Sequence, residues 1–394
     1  MNEKIIEING INFHNKGAEL MLHAIIQEFS DREKYKLVTD FTVGPYDKRF
    51  ELGLYQKFRV NPLGFEPNVK GHKKAMLNMK KDVEEFNDKK FFYESLGLIN
   101  PEEVEVVLDA SGFKYSSQWG DLPTQVSAFL YEKWANNGKK IILLPQAFGP
   151  FNSVEIKKSF ISILESITLI YARDEISYKH IMSICPDKYA YKVKKAPDFT
   201  CLLKWKCTLE SEKHRDSVCI IPNFRMIDKT NEMVADWYIS LLENCVNHLI
   251  QENVPFFCLI HETKKDHILT AELERRLNSD IKMVVEENPL RIKSILANSK
   301  AVIGSRYHGL VSALTQNIPT VGIGWSHKYK ELFKDFHSEE MLIENFEDKS
   351  KYLEKINRLL SVKRGSTLFA NIQKGRAKYK EEVVRMWRDV KSVI

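Results

Sequence analysis

Short apolar runs alternate with helically spaced stretches along most of this chain. The runs at 4–11, 35–39, 105–108, 140–144 and 169–172 are too brief for helices and predict strands. Between them, 18–29, 127–137 and 155–166 carry apolar residues at helical spacing, and a further helix is predicted from Glu175 to Ile184. Residues 61–100 form a Lys-rich, weakly patterned excursion that reads as helices decorating the first half. After a polar, charged stretch at 204–217 the alternation begins again. Strands are predicted at 218–221, 255–260, 283–285, 301–304 and 320–324, with helices at 232–251, 266–277, 290–298 and 310–316. Asn317 and Pro319 stop the last of these helices.

Alternation of this kind predicts parallel sheets with helices on both faces. Occurring twice, it predicts an α/β chain of two Rossmann-like doubly wound domains facing across a cleft, a GT-B-like architecture, with a C-terminal helix. The expected divisions are an N-terminal domain at 1–203, a C-terminal domain at 214–362 and a basic helix at 363–394. Apolar positions Leu368, Ile372, Val383, Val384, Met386, Trp387 and Val390 suit that helix to packing back on the first domain. A membrane-surface helix is the alternative.

Composition narrows the class. The chain has 394 residues, 43% of them hydrophobic, and a net charge of +6 spread over many Lys and Glu. Such a mild excess fits an anionic substrate or membrane surface and argues against a nucleic-acid partner. The cysteines Cys185, Cys201, Cys207, Cys219, Cys245 and Cys258 form no C-x-x-C and no zinc-ligand spacing with histidine. Several sit in apolar runs, such as Phe256-Phe257-Cys258-Leu259, and read as small core residues, and a reduced cytoplasm is the expectation. The N-terminus lacks signal-peptide character, and no stretch approaches the roughly 18 apolar residues of a span. The expected place is the cytoplasm, with association at the inner face of the membrane left open.

The polar chemistry concentrates in 301–328. The strand at 301–304 runs into Ser305-Arg306-Tyr307-His308-Gly309, a helix follows, and the next strand ends before Ser326-His327-Lys328. In open α/β sheets ligands sit outside the carboxyl ends of the strands, where both triplets fall. Arg306, His308, His327 and Lys328 thus converge with a helix N-terminus, as an anion site coupled to proton transfer requires. The structural alternatives are an ion pair for Arg306 and an ordinary helix-start role for His308.

These motifs, with Asn317-Ile318-Pro319 and Trp325, resemble the signature region of the polysaccharide pyruvyl transferase family. Leu144-Pro145-Gln146-Ala147-Phe148-Gly149-Pro150, Tyr171-Ala172-Arg173-Asp174-Glu175-Ile176-Ser177 and Ala196-Pro197-Asp198 are similar to further family motifs, in the same order. The chain departs from the family pattern at Asn15-Lys16-Gly17-Ala18, which lacks an Asp, and at Asp109-Ala110-Ser111-Gly112, which has a single Gly. Both loops are expected to face the acceptor, so the departures concern sugar specificity. The resemblance implies transfer of the enolpyruvyl part of phosphoenolpyruvate to two hydroxyls of a sugar in a surface polysaccharide (capsule or exopolysaccharide) or its precursor. The products are a cyclic ketal and phosphate.

Such a donor needs cationic clamps for its phosphate and carboxylate. Arg306, Lys328 and the helix start suit the phosphate, and Arg225, after the strand at 218–221, suits the carboxylate or an ordinary salt bridge. Asn223, Ser305, Gly309, Ser326 and His327 complete the expected donor-binding set. His308 is the expected acid for the enol carbon, with Arg306 beside it in the catalytic set. A helix start disfavours its charged form and a bound dianion favours it. No cofactor or metal is called for, phosphoenolpyruvate being a co-substrate. His14, Asn15, Lys16, Ser111, Gln118 and Gln146 are the expected acceptor-binding residues, each also readable as a turn residue bonding its own backbone. Tyr115 and Trp119 could stack on a sugar or belong to the core. Two other readings stay open: a GT-B glycosyltransferase using a nucleotide sugar, and a non-catalytic subunit of envelope assembly. The expected acceptor is a sugar, an oligosaccharide or a lipid-linked saccharide.

Overall fold

The computed structural model describes residues 3–58, 69–261, 263–324, 326–344 and 346–394. Trp325 of the signature region and the 61–68 part of the Lys-rich excursion lie outside them. Contacts divide the chain into two units. One holds Met1–Phe13, Met21–Phe199 and Val384–Ile394, and the other His14–Leu20 and Thr200–Val383.

The first unit is built on a parallel sheet. Its strands are β1 (Lys4–Asn9), β2 (Tyr35–Thr39), β3 (Tyr55–Lys57), β4 (Leu98–Ile99), β5 (Val106–Asp109), β6 (Lys140–Gln146), β7 (Leu169–Ala172) and β8 (Val193–Lys195), in the order β4-β3-β2-β1-β5-β6-β7-β8. Central strands covered on both faces are predominantly apolar, and β5 and β7 are buried at every position, Asp109 at the end of β5 being the one charged residue among them. The short strands β3 and β4 were not expected, β4 lying at the end of the stretch read as decorating helices and β3 just before it, because few residues at or near an edge leave no periodic pattern. Ile141, Leu143, Ile156, Phe160, Ile163 and Ile170 form the core between sheet and helices. Each such side chain contributes about 1.5–3 kcal/mol by leaving water.

The second unit repeats the plan with β9 (Val218–Ile221), β10 (Phe256–Ile260), β11 (Met283–Val285), β12 (Ala301–Gly304), β13 (Thr320–Ile323) and β14 (Leu342–Ile343). Their order is β11-β10-β9-β12-β13-β14, all parallel. The strand order reverses between β9 and β12, where Ile221 pairs with Gly304. A doubly wound sheet opens its ligand crevice at such a reversal.

The stretch read as a linker is partly ordered into this unit. Thr208 and Ser211 cap a short helix, Leu209–Glu212, reciprocally, and Ser211 is buried. His214 stacks on Phe257 with ring centroids 4.2 Å apart. Burial pushes its imidazole pKa down.

The terminal helix is Thr367–Val393. Leu368, Ile372, Val383, Met386, Trp387 and Val390 are all buried, so most of its apolar face is spent on packing, while Val384, expected with them, is exposed. Within the first unit Trp387 meets Phe29 and Phe199 edge-on at 5.9 and 5.4 Å. Within the second, Phe336 meets Tyr379 at 5.2 Å. Cys219, Cys245 and Cys258 are buried core residues, while Cys207 is exposed. Among the described residues no helix is long and apolar enough to cross a membrane.

Candidate functional site

The carboxyl ends of β9 and β12 are tied by a buried scaffold. Asn223 Nδ2 donates to the Ser305 carbonyl at 2.7 Å, and the Tyr329 hydroxyl donates to the same oxygen at 2.9 Å. Tyr238 shares a 2.5 Å hydroxyl contact with Ser305 Oγ and accepts from the Asn223 N–H at 2.9 Å. Burial pushes the Tyr238 hydroxyl pKa well up, so it stays neutral. Gly309 belongs to the same scaffold. A Cβ there would come within 2.8 Å of Ile221 Cδ1, so the glycine lets the helix Tyr307–Leu314 seat against β9 without moving that methyl. Asn223, Ser305 and Gly309, expected on the donor, thus also join and position the strand ends.

Arg306 stands at the start of that helix and is mostly buried. Its Nη2 donates to both carboxylate oxygens of Asp266, at 2.6 and 2.7 Å. Asp266 also accepts from the Phe224 N–H at 2.9 Å. The ion-pair alternative for Arg306 is thus present, and it fixes the guanidinium at the strand-end crevice. Arg225 is half-exposed and pairs with Asp228 at 3.0 Å, so it is a surface ion pair here.

The segment His14–Leu20, a short turn and the first residues of a helix, is the unexpected member of this unit. Asn15 Oδ1 accepts from the Gly17 and Ala18 N–H groups at 2.9 and 3.2 Å and so caps the helix Lys16–Glu28. Gly17 lies directly against His308. A Cβ at Gly17 would overlap the imidazole, coming within 2.7 Å of Cε1 and 2.8 Å of Cγ. Lys16 pairs with Glu19 at 2.9 Å. His14, Asn15 and Lys16, expected with the first domain, are carried by the second unit.

His261, at the end of β10, completes the cluster. Burial, with Arg306, His308 and Lys16 nearby, lowers its pKa from 6.5 to about 3. It is neutral at physiological pH and can accept a hydrogen bond where its neighbours can only donate charge. Past β13, Lys328 lies over the rings of Tyr307 and Tyr329 at 5.5 and 5.4 Å. Tyr307 meets His308 edge-on at 5.5 Å. The Ser326 hydroxyl is buried without a hydrogen-bond partner among the described residues. It precedes His327, the first residue of the helix His327–Asp335, which has no side-chain cap. The arrangement gathers Lys16, Arg306, His308 and Lys328 around a helix start, a cationic environment able to hold a small dianion and to move a proton.

The remaining acceptor candidates sit at first-unit strand ends. Gln146 is fully buried, and its Nε2 reaches the Asp109 carbonyl and Oδ1 at 3.4 and 3.3 Å. Tyr115 donates to the same Asp109 at 2.7 Å and is core. Ser111 follows β5, its N–H donating to Asp109 Oδ1 at 2.8 Å. Gln118 lies in a short turn whose backbone is capped by Ser116. Trp119 is 43% exposed. Asp266, His261, Tyr238, Tyr329 and Gly17 are site residues that sequence reasoning missed. Asp266 had a signal: an acid on the apolar face of its helix, in line with Leu269, Thr270 and Leu273, calls for a buried partner.

Comparisons with known proteins agree with this plan. A family model described as "Polysaccharide pyruvyl transferase" matches residues 15–327. No curated protein matches the chain. Among solved structures, an S. aureus MnaA–UDP co-structure is 12% identical with a TM-score of 0.60, over 99% of this chain and 96% of that one. Anabaena Alr3699/HepE in complex with UDP-glucose is 12% identical with a TM-score of 0.58, over 100% of both chains. Phytolacca americana UGT2, complexed with UDP-2-fluoro-glucose and pterostilbene, is 9% identical with a TM-score of 0.52, over 99% of each. At such identities the likeness shows the fold alone, and that fold is of the GT-B type.

Proposed function

The chain belongs to the polysaccharide pyruvyl transferase family, and within that family we propose that it moves the pyruvyl group of phosphoenolpyruvate onto two hydroxyls of a saccharide. Membership makes it a transferase of polysaccharide biosynthesis; the donor and the ketal chemistry are our reading. The observation that carries the reading is the cluster at the β9/β12 reversal, where Arg306, His308, Lys16 and the neutral His261 gather.

In this mechanism His308 protonates the methylene carbon of the enol phosphate, converting it to a methyl group beside a cationic carbon. One sugar hydroxyl adds to that carbon. Phosphate leaves with the C–O electron pair, and the second hydroxyl closes the ketal. The two hydroxyl protons go to the departing phosphate and back to His308, so the acid is regenerated. Lys16, Lys328 and the start of the helix Tyr307–Leu314 neutralise the phosphate as it leaves. Arg306, held by Asp266, orients the donor rather than acting as a free counterion. Neutral His261 accepts a hydrogen bond, which an imidazolium there could not do.

The test compares donors. Phosphoenolpyruvate should raise the melting temperature, and with a saccharide acceptor should release phosphate and form a product heavier by a pyruvate ketal. The fold also accommodates UDP-sugars in the named neighbours. A melting shift with UDP-glucose and none with phosphoenolpyruvate would replace the proposal with a glycosyltransferase.

A further inference from the structure

The first unit contains a cavity of about 380 Å³ that the transfer mechanism does not use. It begins at the carboxyl ends of β1 and β2, near Asn9 and Thr42, and extends beneath the helix Leu122–Asn136 to Trp134. Its volume is in the range of small-molecule sites, about 300–1,000 Å³.

Four lysines line it: Lys57, Lys114, Lys133 and Lys139. Two have their charge accommodated by the protein. Lys57 pairs with buried Glu7, and Lys139 donates to the Pro101 and Val104 carbonyls at 2.5 and 2.7 Å. The ammonium groups of Lys114 and Lys133 make no ion pair or hydrogen bond among the described residues, that of Lys114 lying only over the Tyr115 ring at 5.5 Å. Burial pushes both of their pKa values down, Asp109 and Glu102 opposing this only from a distance. Of the other acids on the wall, Asp40 is occupied by the Thr42 N–H and hydroxyl at 3.0 and 2.8 Å. Two partly desolvated ammonium groups without a protein counterion are unfavourable, and an anion entering the cavity would relieve that cost. Trp134 offers an aromatic surface on the same wall, and Asn9 and Thr42 offer polar groups at its mouth.

We propose that this cavity binds a saccharide carrying an anionic group, its phosphate or carboxylate held by Lys114 and Lys133 and its ring against Trp134. Lysine is a point-charge partner suited to either anion. The inference rests on the reading that the chain modifies saccharides, for which this ligand would be the acceptor; binding is nonetheless measurable without any transfer.

The experiment is calorimetric titration of the full chain with glucose 1-phosphate, glucuronate, glucose and inorganic phosphate, on wild type, Lys114→Met and Lys133→Met. Glucose 1-phosphate or glucuronate should bind at least about tenfold tighter than glucose, the better of the two identifying the anion. Each variant should lose about tenfold or more while melting no lower than wild type, because an uncompensated charge has been removed. Phosphoenolpyruvate binding should be unchanged in both variants. If phosphoenolpyruvate fails to bind wild type while the anionic saccharide binds as described, the cavity assignment stands and the transfer reaction falls. Equal binding of glucose and its phosphate, no binding of either anionic saccharide, or full affinity in both variants would overturn the cavity assignment. Inorganic phosphate binding as tightly as glucose 1-phosphate would overturn its saccharide part.

Discussion

Gly17 lies so close to the His308 imidazole that a single added methyl would overlap the ring. The glycine has no positive φ to explain it, and it occupies the second position of a helix, where alanine is ordinarily the better helix former. The position is therefore given over to bringing a backbone surface against one face of the imidazole.

Gly17→Ala is the first test. Helix propensity alone would stabilise by up to about 1 kcal/mol. The collision should instead displace His308, and a misplacement of about 1 Å can cost about 10²-fold in rate. Phosphate release per folded molecule should fall by that order. A variant that is both more stable and fully active would show that the imidazole position is immaterial.

The Arg306–Asp266 pair gives a second. Asp266→Asn leaves a mostly buried guanidinium without its counterion, a loss of about 3–5 kcal/mol, or on the order of 10 °C in melting temperature. Arg306→Met combined with Asp266→Leu should lose less than Asp266→Asn alone, since neither charge then remains. Arg306→Lys should keep most of the stability but little of the activity, because an ammonium cannot reproduce the planar fork. Equal activity would reduce Arg306 to a structural ion.

His261 supplies a pH signature. Its pKa is lowered from 6.5 to about 3 in the folded protein. Below pH 6.5 the unfolded chain takes up a proton that the native state refuses, so stability falls as pH drops through that window, by at most about 1.4 kcal/mol per unit. His261→Gln should remove this component. The melting curves of variant and wild type should therefore converge between pH 7 and pH 5, or cross. Parallel curves would mean that the imidazole is not held neutral.

The sheets were legible because strands buried on both faces read as unbroken apolar runs. Val218–Ile221 and Ala301–Gly304 stand where the pattern predicts. β3 and β14 were not legible, being two or three residues long at or near sheet edges. The strand-end triplet around Arg306 was legible because fold rules place ligands there. Its support was not, since Asp266 lies 40 residues from Arg306. Nor does sequence order reveal that His14–Leu20 packs with the second unit, because long-range contacts such as that between Gly17 and His308 carry that information. The structural part that Asn223 and Ser305 play was hidden for a related reason. Their position at strand ends was read correctly, but their polar groups are consumed in joining those ends.

The most direct measurement is the fate of one hydrogen. Turnover of phosphoenolpyruvate with a saccharide acceptor in deuterated water should yield a ketal whose methyl group carries one solvent deuterium. His308→Gln should bind the donor normally and form that product about 10²–10⁴-fold more slowly. A ketal methyl without solvent deuterium, normal turnover by His308→Gln, or no ketal at all would contradict the account.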